Sequence, residues 1–279
     1  MAVTNGWGQG VENNTIEWGK GSTNNTNNWG SIYGSSAAGD TLLSAASFAN
    51  SYSLALDESV DQYAEVGNVT SLNGKTTASW SFWMKRSDAT HFETPLSQHG
   101  AGTDRQFYFY LVSNNRIDFY INNALMWKDT SLTVTFANNT WYHIALTYDG
   151  SLSPNSAKCN LYINGVKETN TQGSNVTSIN SSTSNFNIGR RQSSASAYDR
   201  YFDGNLDEIS LFDKELSQSE VTAIYNSGVP GDLTGHANLT DWWRMGDNDG
   251  GSGTTLTAAV GGVNGALYNS ASYETNVPT

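Results

Sequence analysis

Cysteine occurs once in this chain, at Cys159, so no internal disulfide can form. A small secreted scaffold would carry several, and no Cys/His spacing here matches a zinc site. Between Lys158 and Asn160, in a strand-like run, Cys159 reads as a small strand residue. Charge is also scarce: Asp, Glu, Lys and Arg make up 14% of the residues, where about a quarter is usual. Basic residues are fewest, 14 Lys and Arg against 26 Asp and Glu, for a net charge of −12. Such a surface repels phosphate backbones and anionic lipid, so neither nucleic acid nor a membrane is an expected partner. No stretch approaches the roughly 20 apolar residues that a membrane helix needs. The chain opens on no basic stretch followed by an apolar run, so no secretory signal is expected.

What replaces the missing charge is Asn, Ser, Thr and Gly, with 9 Trp, 14 Tyr and 10 Phe. Aromatics bury much area per residue, so a sizeable core is feasible in spite of the polar balance. Thr and the aromatics favour strands over helices. A length of 279 residues suits one large β domain, or one with appendages.

Residues 1–40 form a separate segment with an imperfect repeat of eleven. Asn5-Gly-Trp-Gly-Gln-Gly is echoed by Ile16-Glu-Trp-Gly-Lys-Gly and again, in part, by Asn27-Asn-Trp-Gly. Trp7, Trp18 and Trp29 thus recur at even spacing, each followed by Gly. Gly and Asn permit tight turns, and each unit carries one large anchor. Such a segment cannot bury a core alone. It needs a surface to lie on: the rest of the chain, a neighbouring subunit or a larger assembly. A flexible linker is the competing reading. Residues 37–49 read as a small-residue connector.

From Tyr52 the pattern alternates with period two. The predicted strands are 53–57, 62–66, 77–85, 106–112, 116–121, 131–136, 141–148, 160–163, 166–169, 185–189 and 205–212, with an aromatic one at 239–245. Trp80, Phe82 and Met84 share one face, and Asn164-Gly165 is a strong hairpin signal. Many short strands separated by turn signals indicate a sandwich or barrel. One helix is predicted: Ser217-Gln-Ser-Glu220 is a capping box, Val221, Ile224 and Tyr225 share a face, and Gly228 with Pro230 ends it.

The blocks Ser53-Leu-Ala-Leu-Asp, Gln62-Tyr-Ala-Glu-Val, Trp80-Ser-Phe-Trp-Met-Lys and Trp141-Tyr-His-Ile-Ala-Leu-Thr-Tyr-Asp-Gly come first. Leu161-Tyr-Ile-Asn-Gly-Val, Phe186-Asn-Ile-Gly and Tyr201-Phe-Asp-Gly-Asn-Leu-Asp-Glu-Ile-Ser-Leu-Phe follow. In this order, between Ser53 and Asn226, they resemble the laminin G-like family of concanavalin A-like lectin/glucanase folds. The resemblance implies an all-β antiparallel sandwich, a jelly roll with one short helix, over residues 41–279, preceded by an extended arm. It also implies that the aromatic strand near Trp242 and Trp243 joins the sandwich beside the first strands. A second resemblance lies in the arm. Asn13-Asn-Thr-Ile-Glu-Trp-Gly19 is similar to N-terminal segments of structural proteins of tailed bacteriophages.

Glucanases of this fold need two carboxylates about 5 Å apart in retaining enzymes. In the family they lie on one strand as Glu-x-Asp-x-(x)-Glu, and no such run is present. Asp207-Glu208 is nearest, and strict alternation sends its members to opposite faces. There is no Gly-x-Ser-x-Gly elbow, and His91, His99, His143 and His236 are scattered. His143, inside a strand, reads as packed or hydrogen-bonded. No catalytic residue and no enzymatic activity are therefore expected. Laminin G-like folds often hold calcium, which favours carboxylates and carbonyls from loops. The resemblance places Asp57, Asp203 and Asp207 at acidic positions suited to it, while Asp57 and Asp203 also read as plain turn residues. A glycan would meet an aromatic face and planar polar partners. Arg190, Arg191 and Arg200 fall beside Tyr198 in one loop of an acidic protein, either as binding groups or paired with Asp199 and Asp203. Trp127 reads equally as a sugar platform or as core. The expectation is a non-catalytic virion structural protein of a tailed phage: a capsid decoration, head fibre or tail-associated adhesin. It would sit on the virion surface as a homo-oligomer, anchored to other virion proteins by Trp7, Trp18 and Trp29, and would present its lectin-like domain to host surface glycans. The alternative is a carbohydrate-binding module of a bacterial surface protein.

Overall fold

A computed structural model describes residues 48–279, apart from 103, 115, 129–131, 170–172 and 195. The arm, with Trp7, Trp18 and Trp29, lies outside the described residues. Two antiparallel sheets face one another. The back sheet runs Val166–Lys167, Cys159–Ile163, Trp141–Asp149, Thr77–Arg86, Gly204–Phe212, Ser53–Leu56, Ser272–Glu274. The front sheet runs Thr255–Leu256, Gly265–Tyr268, Tyr63–Val66, Phe186–Ile188, Leu96–His99, Arg105–Ser113, Arg116–Ile121, Ala124–Lys128. A two-stranded ribbon, Arg191–Ser194 with Ala197–Asp199, stands apart. The expected all-β sandwich is present.

The period-two pattern explains the core. Trp80, Phe82 and Met84 point inward from the back sheet; Phe107, Phe109, Phe119, Ile117 and Ile121 answer from the front. Rings meet across the gap: Trp80 lies 4.9 Å from Phe119 and 5.1 Å from Phe107, and Phe82 meets Phe109 edge-on at 5.3 Å. Each such side chain contributes roughly 2–3 kcal/mol of burial. The back sheet is covered on its other side too. Val221 and Ile224 of the helix Gln218–Tyr225 pack with Phe212, Tyr162, Leu216 and Trp242. That is why Gly204–Phe212 is buried at every position rather than at alternate ones. His143 lies on this side, fully buried, 2.8 Å from the Ser81 hydroxyl, and burial pulls it down to about 3.

Local signals hold where they are strong. Asn164 and Gly165 both take positive φ (50° and 76°) in the predicted hairpin. Both halves of the capping box form, with Ser217 accepting from the Glu220 amide and Glu220 accepting from the Ser217 amide. The helix ends on Asn226, in the left-handed region, two residues before Gly228. The predicted strand at 131–136 is not one over its described part. Leu132 and Phe136 are buried, but the Thr133 amide donates to the Glu168 carboxylate, 2.9 Å away, instead of to a neighbouring strand. The C-terminal segment adds strands to both sheets, and in the back sheet with a change of partner. Leu239–Trp243 pairs with the second half of Gly204–Phe212, while the first strand takes Ser272–Glu274.

Candidate functional site

The outer face of the front sheet is built by alternation. In Gln106-Phe-Tyr-Phe-Tyr-Leu the Phe residues and Leu111 go inward, so Tyr108 and Tyr110 go outward. The register sets Tyr108 opposite Tyr120, and Tyr110 opposite Asp118. Tyr108 and Tyr120 stack at 4.5 Å and 12°, Tyr110 lies 4.9 Å from Tyr108, and Phe92 meets Tyr110 edge-on at 4.8 Å. Tyr110 and Tyr120 remain half-buried, and Tyr108 beside them is buried. Burial pushes all three hydroxyls up, so they stay neutral donors and acceptors.

The loop that carries Arg190, Arg191, Tyr198 and Arg200 is the ribbon over this face, and the structure separates their roles. Arg190 is 4% exposed. Its guanidinium is clamped between Tyr63 (3.3 Å) and Tyr198 (3.5 Å), and it donates to Asn187 and Glu65 at 2.8 and 2.7 Å. It is therefore a structural cation, with Tyr198 as one jaw, and neither Arg190 nor that ring face is open to a ligand. Its partner is Glu65, not Asp199 or Asp203. Arg191 makes the forked pair with Asp199, at 3.0 and 2.7 Å, and also donates to the Tyr110 hydroxyl. It stays partly exposed, 5.1 Å from the Tyr110 ring centre. Arg200 takes a left-handed φ of 58°, is exposed, and lies 4.0 Å over Phe92. Trp127 is fully buried in the core, because the strand Ala124–Lys128 sets it opposite Phe119 on the inner face. It is no sugar platform.

His99 fixes the ribbon to the sheet. Its Nδ1 lies 2.6 Å from the Gln192 carbonyl, and burial pulls it down to about 4, so it donates there as a neutral ring. The sequence reading left out the three tyrosines, although the alternation of Phe and Tyr in 107–110 already places Tyr108 and Tyr110 outward. His99 left no such signal.

The acidic positions divide. Pairing of Leu56 with Gly204 brings Asp57 beside Asp203 at one end of the sandwich. Asp57 is occupied as a cap, accepting from the Ser59 amide at 2.8 Å. The Asp203 carboxyl is raised by burial and then by Glu58 and Asp57. Asp207 does not join them: four residues along the strand is about 13 Å. It is fully buried, accepting from Asn50 and from the Glu208 amide. A bulge at Glu208, whose φ is 49°, breaks the strict alternation. Asp207 and Glu208, expected on opposite faces, are both buried and raised, by burial above all and, for Asp207, next by Glu208. The Trp242 indole and Arg244 seal Glu208 at 2.6 and 3.2 Å. At the acidic end, ligand atoms of Glu58, His91 and Glu93 lie within 4.8 Å of one another.

The family model described as Concanavalin A-like lectin/glucanases superfamily (Laminin_G_3) matches residues 57–222, more than half of the chain. A candidate carbohydrate binding protein from Bacteroides ovatus superposes with a TM-score of 0.60 at 15% identity, over 83% of this chain. The chain spans 62% of that protein's length. The heptameric SAP-like pentraxin from Limulus polyphemus superposes with a TM-score of 0.51 at 12% identity, covering 78% of this chain and 95% of the pentraxin. The extracellular region of zebrafish Gpr126 gives 0.50 at 18% identity, over 69% of this chain and 24% of that one. These likenesses concern the fold. No curated protein matches the sequence.

Proposed function

The chain belongs to the concanavalin A-like lectin/glucanases superfamily, and from that premise we propose that its sandwich is a non-catalytic, lectin-like module that binds glycans on the front sheet. The observation that carries this reading is the half-open face of Tyr110 and Tyr120 bordered by the Arg191–Asp199 fork. Sugars bind such surfaces through C–H groups laid on an aromatic ring, with planar polar groups fixing the hydroxyls. Arg200 over Phe92 supplies a cation at the rim. Absence of catalysis is supported by the sealing of the adjacent carboxyls Asp207 and Glu208 under Trp242, Arg244 and Asn50. A glycan array with the full chain tests the reading. Wild type is expected to bind a defined subset, and Tyr120→Ala and Arg191→Ala to lose at least about tenfold in affinity. A silent array for the wild type removes the proposal.

We place this module on a tailed-phage virion, as a capsid decoration, head fibre or tail-associated adhesin, on the likeness of Asn13–Gly19 to such proteins. The Trp7, Trp18 and Trp29 repeat would attach it to other virion proteins and favour a homo-oligomer. A carbohydrate-binding module of a bacterial surface protein is the second reading, favoured by the likeness to the Bacteroides protein. Mass spectrometry of purified particles separates the two: a chain present in stoichiometric amount supports the virion, and one absent from particles but found on bacterial cells supports the module.

A further inference from the structure

The acidic end of the sandwich gathers more carboxyl groups than basic side chains. Glu58, Asp88, Glu93 and Asp203 surround Arg86 and His91. His91 Nδ1 lies 2.6 Å from Glu58, and Nε2 lies 3.5 Å from Asp88. Glu93 is different from the others because it is fully buried. Arg86 donates to its Oε2 at 2.9 Å, while Oε1 is sealed from solvent and accepts no hydrogen bond. A buried carboxylate oxygen without a donor is costly, and a cation is the partner that would satisfy it. Two segments far apart in sequence meet here, one carrying Glu58 and the other both His91 and Glu93. The turn after the first strand brings Glu58, the loop after Thr77–Arg86 brings His91, and Glu93 is fixed by two backbone bonds to Leu111.

We propose that Glu58, His91 and Glu93 form a site for zinc or another first-row divalent cation. The three ligand atoms already lie within 4.8 Å of one another, and ligands on one tetrahedral zinc are about 3.3 Å apart. Small rotations of the partly exposed Glu58 and His91 side chains close that difference. An imidazole nitrogen with two carboxylates suits zinc and its neighbours, whereas calcium takes oxygen ligands alone. The donors therefore differ from the calcium positions that the family resemblance implies: Asp57 is spent on its cap, and Asp207 is remote. Asp88 beside Nε2 would hold the ring as carboxylates hold metal-bound histidines.

Titration calorimetry and thermal melting of the full chain with zinc chloride and, separately, calcium chloride test the site. One zinc ion per chain is expected to bind and raise the melting temperature. His91→Ala should weaken that binding by at least about tenfold. Its melting temperature without zinc should stay near that of wild type, since the His91 side chain is 46% exposed. His236→Ala, at an exposed histidine elsewhere, should bind as wild type does. The proposal is overturned if wild type takes up no zinc, if His91→Ala binds it undiminished, or if calcium binds as tightly as zinc.

Discussion

A guanidinium held between two rings, as Arg190 is between Tyr63 and Tyr198, gives its charge to the fold. Arg190→Ala takes one of two donors from Glu65, which keeps Asn185, takes the Arg190 donor from Asn187 and removes the cation between the rings, at a cost of about 2 kcal/mol or more. Arg190→Lys should recover little of it, because an ammonium has neither the flat face nor the fork. Urea unfolding within about 0.5 kcal/mol of wild type for the Ala variant would refute the structural role. The buried carboxyls Asp207 and Glu208 predict a pH effect. Both are raised in the fold, so the folded chain holds their protons more tightly than the unfolded one. Their stabilising contribution is present at acid pH and is lost as pH rises from the ordinary 4.5 of Glu208 toward neutrality. His143 acts the other way: lowered from 6.5 to about 3, it costs stability as pH falls between those values. Glu208→Gln removes one of the opposed terms, so its melting temperature relative to wild type should climb with pH above 4.5. A constant difference across that range would contradict the assignment.

Among the elements, the strand Gly204–Phe212 carries most of the organisation. It joins Thr77–Arg86 on one side and two successive partners on the other. Its first residue has φ 138°, and a Cβ there would lie 2.0 Å from the Lys85 carbonyl oxygen. Gly204→Ala must therefore push backbone against backbone at the point that also sets Asp203 beside Asp57. A loss of at least about 3 kcal/mol, or failure to express in soluble form, is expected. Wild-type stability in that variant would mean that the strand start adjusts freely. The ribbon Arg191–Asp199 belongs to the same scale. Two linkages to the sheet, His99 to Gln192 and Arg191 to Tyr110, make it a fixed wall of the tyrosine face.

The sandwich as a whole extends beyond the region that matches its family. Trp243 is buried against Phe186 at 5.3 Å, and Trp242 closes the second cluster above Glu208. A chain ended at Asn226 would leave both surfaces bare and one edge of the Ile209–Phe212 half of the strand Gly204–Phe212 unpaired. That truncation is expected to aggregate or to bind hydrophobic dye without a cooperative melt; a sharp transition like that of the full chain would show the C-terminal strands to be dispensable.

The alternation of Phe with Tyr in 107–110, the turn at Asn164-Gly165, the Ser217–Glu220 capping box and the ordered strand blocks were legible in the sequence. Each rests on φ preferences or side-chain periodicity within a few residues, and these act the same way in any fold that contains the segment. The apparent strand at 131–136 failed because alternation makes a strand possible, while pairing depends on a free neighbouring edge. Tertiary structure alone decided which arginine is clamped and which is open, that Trp127 faces inward, and that Asp203, not Asp207, lies beside Asp57. It also brought Glu58, His91 and Glu93 together. Those outcomes depend on strand register and on one bulge, and a register joins residues that lie tens to hundreds of positions apart. Local preference carries no record of such distances, so the sequence determined the kind of fold and the faces of its strands, while packing determined which of their side chains are left for a ligand.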